Sequence, residues 1–185
     1  MFFGLLILLA ALFHREIIFE ILEWLCQASR ADSGRASVRL RASLKKSPHL
    51  YIMKTPLLET IVIPRFFRDS LWVNPELWES LTENERECLL VWAQSSCDRN
   101  SFMSRVLGFT DPRTADRDCL LICQDPLSFP SLLDKAQTVR GKNPPTNVGT
   151  LFAGASLLGP PLIGEGVAAN DRMKAYADQL TRLKK

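Results

Sequence analysis

Few side chains in this 185-residue chain are placed to do chemistry together. Its two histidines, His14 and His49, cannot complete a three-ligand zinc site. Five cysteines are present, Cys26, Cys88, Cys97, Cys119 and Cys123, with no C-x-x-C among them. Cys119 and Cys123 are spaced i,i+4, which could make half a metal site. No second Cys or His pair completes it, so two core cysteines are the better reading. Cys97 beside Asp98 could be a thiol nucleophile, but no histidine base lies near it in sequence. Ser95-Ser96 lacks the G-x-S-x-G elbow of a serine hydrolase. Gly164-Glu165-Gly166 is too short for a phosphate-binding loop. Asp116-Arg117-Asp118, with Arg113, reads as exposed ion pairing along a helix.

The elements that carry these residues are mostly helical. Thr82 and Glu85 form a T-x-x-E capping box, which starts a helix running to about Asp98 with Cys88, Leu89, Trp92 and Ala93 on its apolar side. Asn74-Pro75 caps the short segment before it. Asp111-Pro112 starts a helix to about Cys123, and Asp125-Pro126 starts one to about Val139. Gly141 to Asn147 reads as a loop. Residues 149–168 are apolar but broken by Gly159-Pro160-Pro161 and Glu165, so they read as a loop packed on the domain or touching a membrane surface. A last helix places Met173, Tyr176, Leu180 and Leu183 on one stripe. Two short strands are expected at His49 to Met53 and Thr60 to Ile63. The interrupting Pro56 and Pro64 make them edge or hairpin strands.

The N-terminal stretch is different in kind. Residues 1–13, MFFGLLILLAALF, are apolar apart from one glycine. The run is short of the roughly 20 residues a spanning helix needs, and it lacks a signal peptide's basic start. After Glu16 the pattern turns amphipathic, with Ile17, Ile18, Ile21, Leu22 and Leu25 on one face and Glu16, Glu20, Glu23 and Gln27 on the other. Residues 2–27 are therefore expected to form one helix whose first half enters a membrane. Phe2, Phe3, Leu5, Leu6, Ile7, Leu8, Leu9, Leu12 and Phe13 would be the anchor, and the second half would emerge or lie along the interface. Residues 30–46 carry six Lys or Arg against one Asp. Arg30, Arg35, Arg39, Arg41, Lys45 and Lys46 would meet lipid headgroups and keep the rest of the chain on the cytoplasmic side, in a bacterium that of the inner membrane. The competing reading is a buried N-terminal helix of a soluble protein.

Composition narrows the choice of partners. Apolar residues make up 46 % and charged residues 23 %, enough for one domain with a sizeable core. A net charge of +3, without a basic-aromatic stripe, argues against nucleic acid.

The order of the pieces between about residues 47 and 140 resembles the membrane zinc peptidases of the HtpX and CAAX-prenyl-protease kind, and the related penicillin-sensor antirepressor peptidases. Ser47-Pro48 and the run Ile61-Val62-Ile63-Pro64 through Leu71 match their edge-strand region. Leu81 through Ser96 and on to Asn100 is similar to the phrase that carries H-E-x-x-H in the family. Thr114-Ala115-Asp116-Arg117, and then Gln124-Asp125-Pro126 through Ala136, match the later phrase that supplies the third zinc ligand. Pro160-Pro161 and Arg172 echo the family's last element. Only 17 residues separate Ser96 from Thr114, fewer than in the family.

The resemblance implies a small gluzincin-like α+β domain, mainly helical, with a short edge β-hairpin. It also implies where the chemistry should sit. The two histidine positions are Trp92 and Ser96, the general-base position is Ala93 and the third-ligand position is Thr114. None of these can bind zinc or activate water. The expectation is a non-catalytic, membrane-anchored pseudopeptidase that needs no cofactor and acts as an accessory or scaffold subunit, or a regulator, of a membrane protein complex. It would have an N-terminal anchor at 1–27, a basic linker at 28–46 and a peptidase-like domain at 47–185. The strand Leu58, Glu59, Thr60, Ile61, Val62 and Ile63 would be left to pair with a peptide or a partner subunit. Trp92 would fill the metal's space with its N–H bonded to an acceptor. The competing functions are an enzyme that uses a cysteine nucleophile and a membrane-surface protein with no partner.

Overall fold

The computed structural model describes residues 13, 16–32, 48–55, 58–63, 69–96, 112–142, 162 and 166–183. Among these it is a mixed domain, mainly helical, with four strands and six helices. The helices are α1 (residues 16–26), α2 (Pro75–Ser80), α3 (Glu83–Ser95), α4 (Pro112–Ile122), α5 (Ser128–Lys142) and α6 (Gly166–Leu183). The strands are β1 (Ser29–Ala31), β2 (His49–Ile52), β3 (Thr60–Ile63) and β4 (Ser70–Val73).

The sheet order is β1-β2-β4-β3, with β2 parallel to β4 and the other pairs antiparallel. This corrects the expected hairpin. The strands at 49–52 and 60–63 are not neighbours, because β4 lies between them and pairs with both. β3 is at the edge, but β2 is interior, and it gains its outer neighbour from β1 in what reads as linker. The register Leu50↔Leu71 and Val62↔Leu71 places alternate residues on opposite faces.

Both faces are covered. Leu50, Val62, Leu71 and Val73 join an apolar cluster with residues from α2 to α6. Tyr51, Met53, Ile61, Ile63 and Trp72 pack with Ile18, Phe19, Leu22 and Cys26 of α1. Phe19 stands edge-on to Tyr51 at 5.4 Å and to Trp72 at 5.2 Å, each contact contributing about 0.5–1.5 kcal/mol beyond area burial.

The second half of the expected anchor is thus an element of the domain. Its inner face is Ile18, Phe19, Leu22 and Cys26, with Leu25 partly buried; Ile17 and Ile21 stay outside. The helix ends in a Schellman-type turn. Ala28 N–H donates to Glu23 C=O at 3.4 Å, and Gln27 takes the left-handed conformation at φ 46°. The C=O of Cys26 accepts from Lys54 and Thr55 N–H, both at 3.0 Å, which ties the helix end to the exit of β2.

The helical half follows the sequence more closely. The capping box forms as expected: Thr82 N–H donates to Glu85 Oε2 at 2.7 Å, and Glu85 N–H to Thr82 Oγ1 at 3.3 Å. Asn74 Oδ1 caps α2 through Glu76 N–H at 2.8 Å. α5 starts at Ser128 and runs through Gly141 and Lys142, two residues into the expected loop, and α6 begins inside the apolar 149–168 segment.

Candidate functional site

α3 carries the positions at which the resemblance places zinc chemistry, and its ends and faces fix them. At its start Glu85 does more than cap. It also accepts from Ser131 Oγ at 2.6 Å and Lys135 Nζ at 2.7 Å, and Lys135 reaches Ser80 C=O at 2.9 Å. Burial alone would raise the Glu85 carboxyl. The hydrogen bonds from Lys135, Ser131 and Thr82 overcome this and hold it below the ordinary glutamate range. The N-terminus of α3 is thereby clamped to α5.

Further along, Trp92 and Ala93 lie fully buried in the apolar cluster with Ala115 and Cys119 of α4. Ser96 is also buried, and its hydroxyl donates to Trp92 C=O at 2.7 Å, the carbonyl that also accepts Ser96 N–H at 2.9 Å. The hydroxyl is therefore committed to its own helix. Trp92 Nε1 is buried without an acceptor, against the expected hydrogen bond. Trp92 belongs to the apolar cluster between the sheet and the helices α2 to α6. An orphaned buried donor costs about 1–3 kcal/mol. Thr114 lies in the first turn of α4.

α3 and α4 also bring three thiols together. The Cys119 thiol donates to Cys88 C=O at 3.5 Å, and the Cys88 thiol to Asp125 C=O at 3.8 Å. The Cys123 thiol interacts electrostatically with both other thiols. The Cys119–Cys123 pair is thus joined by a third cysteine that spacing alone could not place. Mutual hydrogen bonding and burial push Cys88 and Cys123 far up, and burial first of all raises Cys119. Burial pushes Cys26 up to about 11. Thiols held neutral in this way are poor nucleophiles. Cys97 lies outside the described residues. Among the described residues no three His, Cys, Asp or Glu side chains are grouped to hold a metal ion.

Asp116 overturns its sequence reading as an exposed charge. It is buried and takes Arg172 in a two-pronged pair, Nε to Oδ2 at 2.9 Å and Nη2 to Oδ1 at 2.7 Å. Arg172 Nη1 also donates to Leu162 C=O at 2.7 Å. α6 is thus locked to α4 and to the residue just past Pro160-Pro161. Tyr176, one turn beyond Arg172, donates to Pro126 C=O at 2.9 Å. Periodicity gave no sign of the Asp116–Arg172 contact; the only sequence signal was the order of motifs.

The predicted edge strand does lie at the sheet's edge. It is not open, however: Leu58, Glu59, Thr60, Ile61, Val62 and Ile63 are all buried. Arg140 sits 3.5 Å from the Glu59 carboxylate, and Glu59 C=O accepts Asn74 N–H at 3.0 Å. Pairing with a peptide would require this strand to be uncovered first.

Of the lipid-facing positions, Phe2, Phe3, Leu5, Leu6, Ile7, Leu8, Leu9 and Leu12 lie outside the described residues, as do Arg35, Arg39, Arg41, Lys45 and Lys46. Phe13 and Arg30 are exposed. Among the described residues no helix is long and apolar enough to cross a membrane. Compared with protein-family models, curated proteins and solved structures, the chain matches none.

Proposed function

We propose that this chain is a non-catalytic, membrane-anchored protein with a zinc-peptidase-like arrangement, serving as an accessory or scaffold subunit of a membrane protein complex. One observation carries the reading. The helix that resembles the peptidase helix has Trp92, Ala93 and Ser96 at the ligand and base positions, and all three are sealed into the core. A working zinc site needs lone pairs and a water there; this helix offers an indole, a methyl and a hydroxyl bonded to its own backbone. The Asp116–Arg172 pair adds support, since it joins the third and last motifs of the resemblance directly. In this reading the domain lies on the cytoplasmic side of the membrane, held there by its N-terminal apolar run and the basic residues that follow.

The test is extraction of the native, full-length chain in mild detergent, followed by identification of what stays bound. The reading predicts a stable particle with defined membrane partners and no peptide hydrolysis attributable to this chain. A monomeric particle without partners would overturn the subunit role. Hydrolysis abolished by a substitution at Cys97 would favour the cysteine-enzyme reading instead.

A further inference from the structure

The fold uses only one side of α1. Ile18, Phe19, Leu22 and Cys26 face the sheet. On another side Ile17 is 58 % exposed, Ile21 43 % and Trp24 78 %. At about 100° per residue, the spacing i, i+4, i+7 puts these three on one narrow stripe. With Phe13, which precedes α1 and is also exposed, they are four of the six large exposed apolar side chains among the described residues, and Glu16, Glu20 and Glu23 border the stripe on one flank. An apolar stripe of this kind on an element rigidly tied to a domain marks an interaction surface.

We infer that α1 lies flat in a phospholipid interface, with Phe13, Ile17, Ile21 and Trp24 inserted to the headgroup–acyl boundary and the sheet stacked directly above it. This rests on the proposed membrane anchoring, and adds which face docks and how the domain is oriented. Three observations select lipid as the occupant. The stripe follows closely on the apolar run of residues 1–13, so the two apolar segments succeed one another in the sequence. Its most exposed member is a tryptophan, the side chain suited to headgroup depth. Basic charge lies on the same side. Arg30 pairs with Tyr51 across β1 and β2, and directly paired residues project to the same face of a sheet. Tyr51 packs with α1, so exposed Arg30 is on the α1 side. Exposed Lys54, whose N–H holds the end of α1, stands at the same corner. The Schellman turn and the two bonds to Cys26 C=O fix the stripe relative to the sheet, so docking sets the orientation of the whole domain.

Trp24 is its own reporter, because Trp72 and Trp92 are fully buried and Trp78 is partly buried. The full chain is mixed with phosphatidylcholine–phosphatidylglycerol vesicles whose acyl chains are plain or brominated. The expected result is quenching by the brominated vesicles that is mostly lost in Trp24→Phe, while that variant still sediments with vesicles. Ile17→Ser with Ile21→Ser, at exposed positions, should weaken binding at limiting lipid about tenfold without loss of fold. Sedimentation without Trp24 quenching would overturn the docking face and leave the anchor standing. Quenching that persists in Trp24→Phe would also overturn it. No sedimentation at all would overturn the anchor itself. A lipid-free dimer with Trp24 shielded would assign the stripe to a second copy of the chain.

Discussion

The helices on one side of the sheet are held by polar locks. Glu85 joins α3 to α5, and Arg172 joins α6 to α4 and to Leu162. On the other side, among the described residues, α1 covers Tyr51, Ile61 and Trp72 through apolar contacts, and backbone bonds tie its end to the exit of β2. On the first side Trp92, Ala93 and Ser96 are buried where the resemblance would place a catalytic centre. The second side keeps an apolar stripe outside. The exposed apolar stripe of α1 therefore lies on the face of the sheet opposite Trp92, Ala93 and Ser96, which are buried.

The contrast breaks most sharply through the polar locks. Arg172→Ala leaves Asp116 buried and unpaired and should cost about 3–5 kcal/mol in denaturant unfolding. Trp92→Ala should cost a similar amount through the cavity it leaves. Trp92→Phe should cost much less, because it removes an N–H that has no acceptor.

Next come the two faces of α1. Leu22→Ala on the inner face should cost about 2–5 kcal/mol. Ile17→Ser and Ile21→Ser on the outer face should change stability by no more than about 0.5 kcal/mol each. Equal costs on both faces would mean that the stripe is packed after all.

Acid should act on the α3 side. The folded Glu85 carboxyl titrates below its unfolded value of about 4.3. Its contribution is complete above that pH and is lost as pH falls through the folded value. Glu85→Gln should flatten this limb of a stability-against-pH curve. A small gain belongs to the turn that ends α1. Gln27→Gly, at φ 46°, should raise the unfolding free energy by up to about 1 kcal/mol by relieving left-handed strain.

Sequence reading recovered the helices whose caps are local. Thr82 with Glu85, and Asn74 with Pro75, specify their helices within four residues. β4 escaped it. Ser70-Leu71-Trp72-Val73 is buried on both faces, so the run has no alternation to distinguish it. β1 escaped because the strand is only three residues long and both Ser29 and Arg30 are exposed, amid linker-like charge. The face of α1 was misplaced because the helix carries two apolar stripes, and periodicity merged Ile17 and Ile21 with Ile18 and Leu22. At the candidate site, Trp92, Ala93 and Ser96 were legible by position. The Asp116–Arg172 pair spans 56 residues, and no local pattern encodes it.

On the proposed reading the helix that carries Trp92, Ala93 and Ser96 holds no metal. Zinc content, measured by elemental analysis on the native full-length chain extracted from membranes without chelator, tests it most directly. The prediction is far less than one zinc per chain, unchanged in Trp92→Phe. A reproducible stoichiometry near one zinc per chain would contradict it.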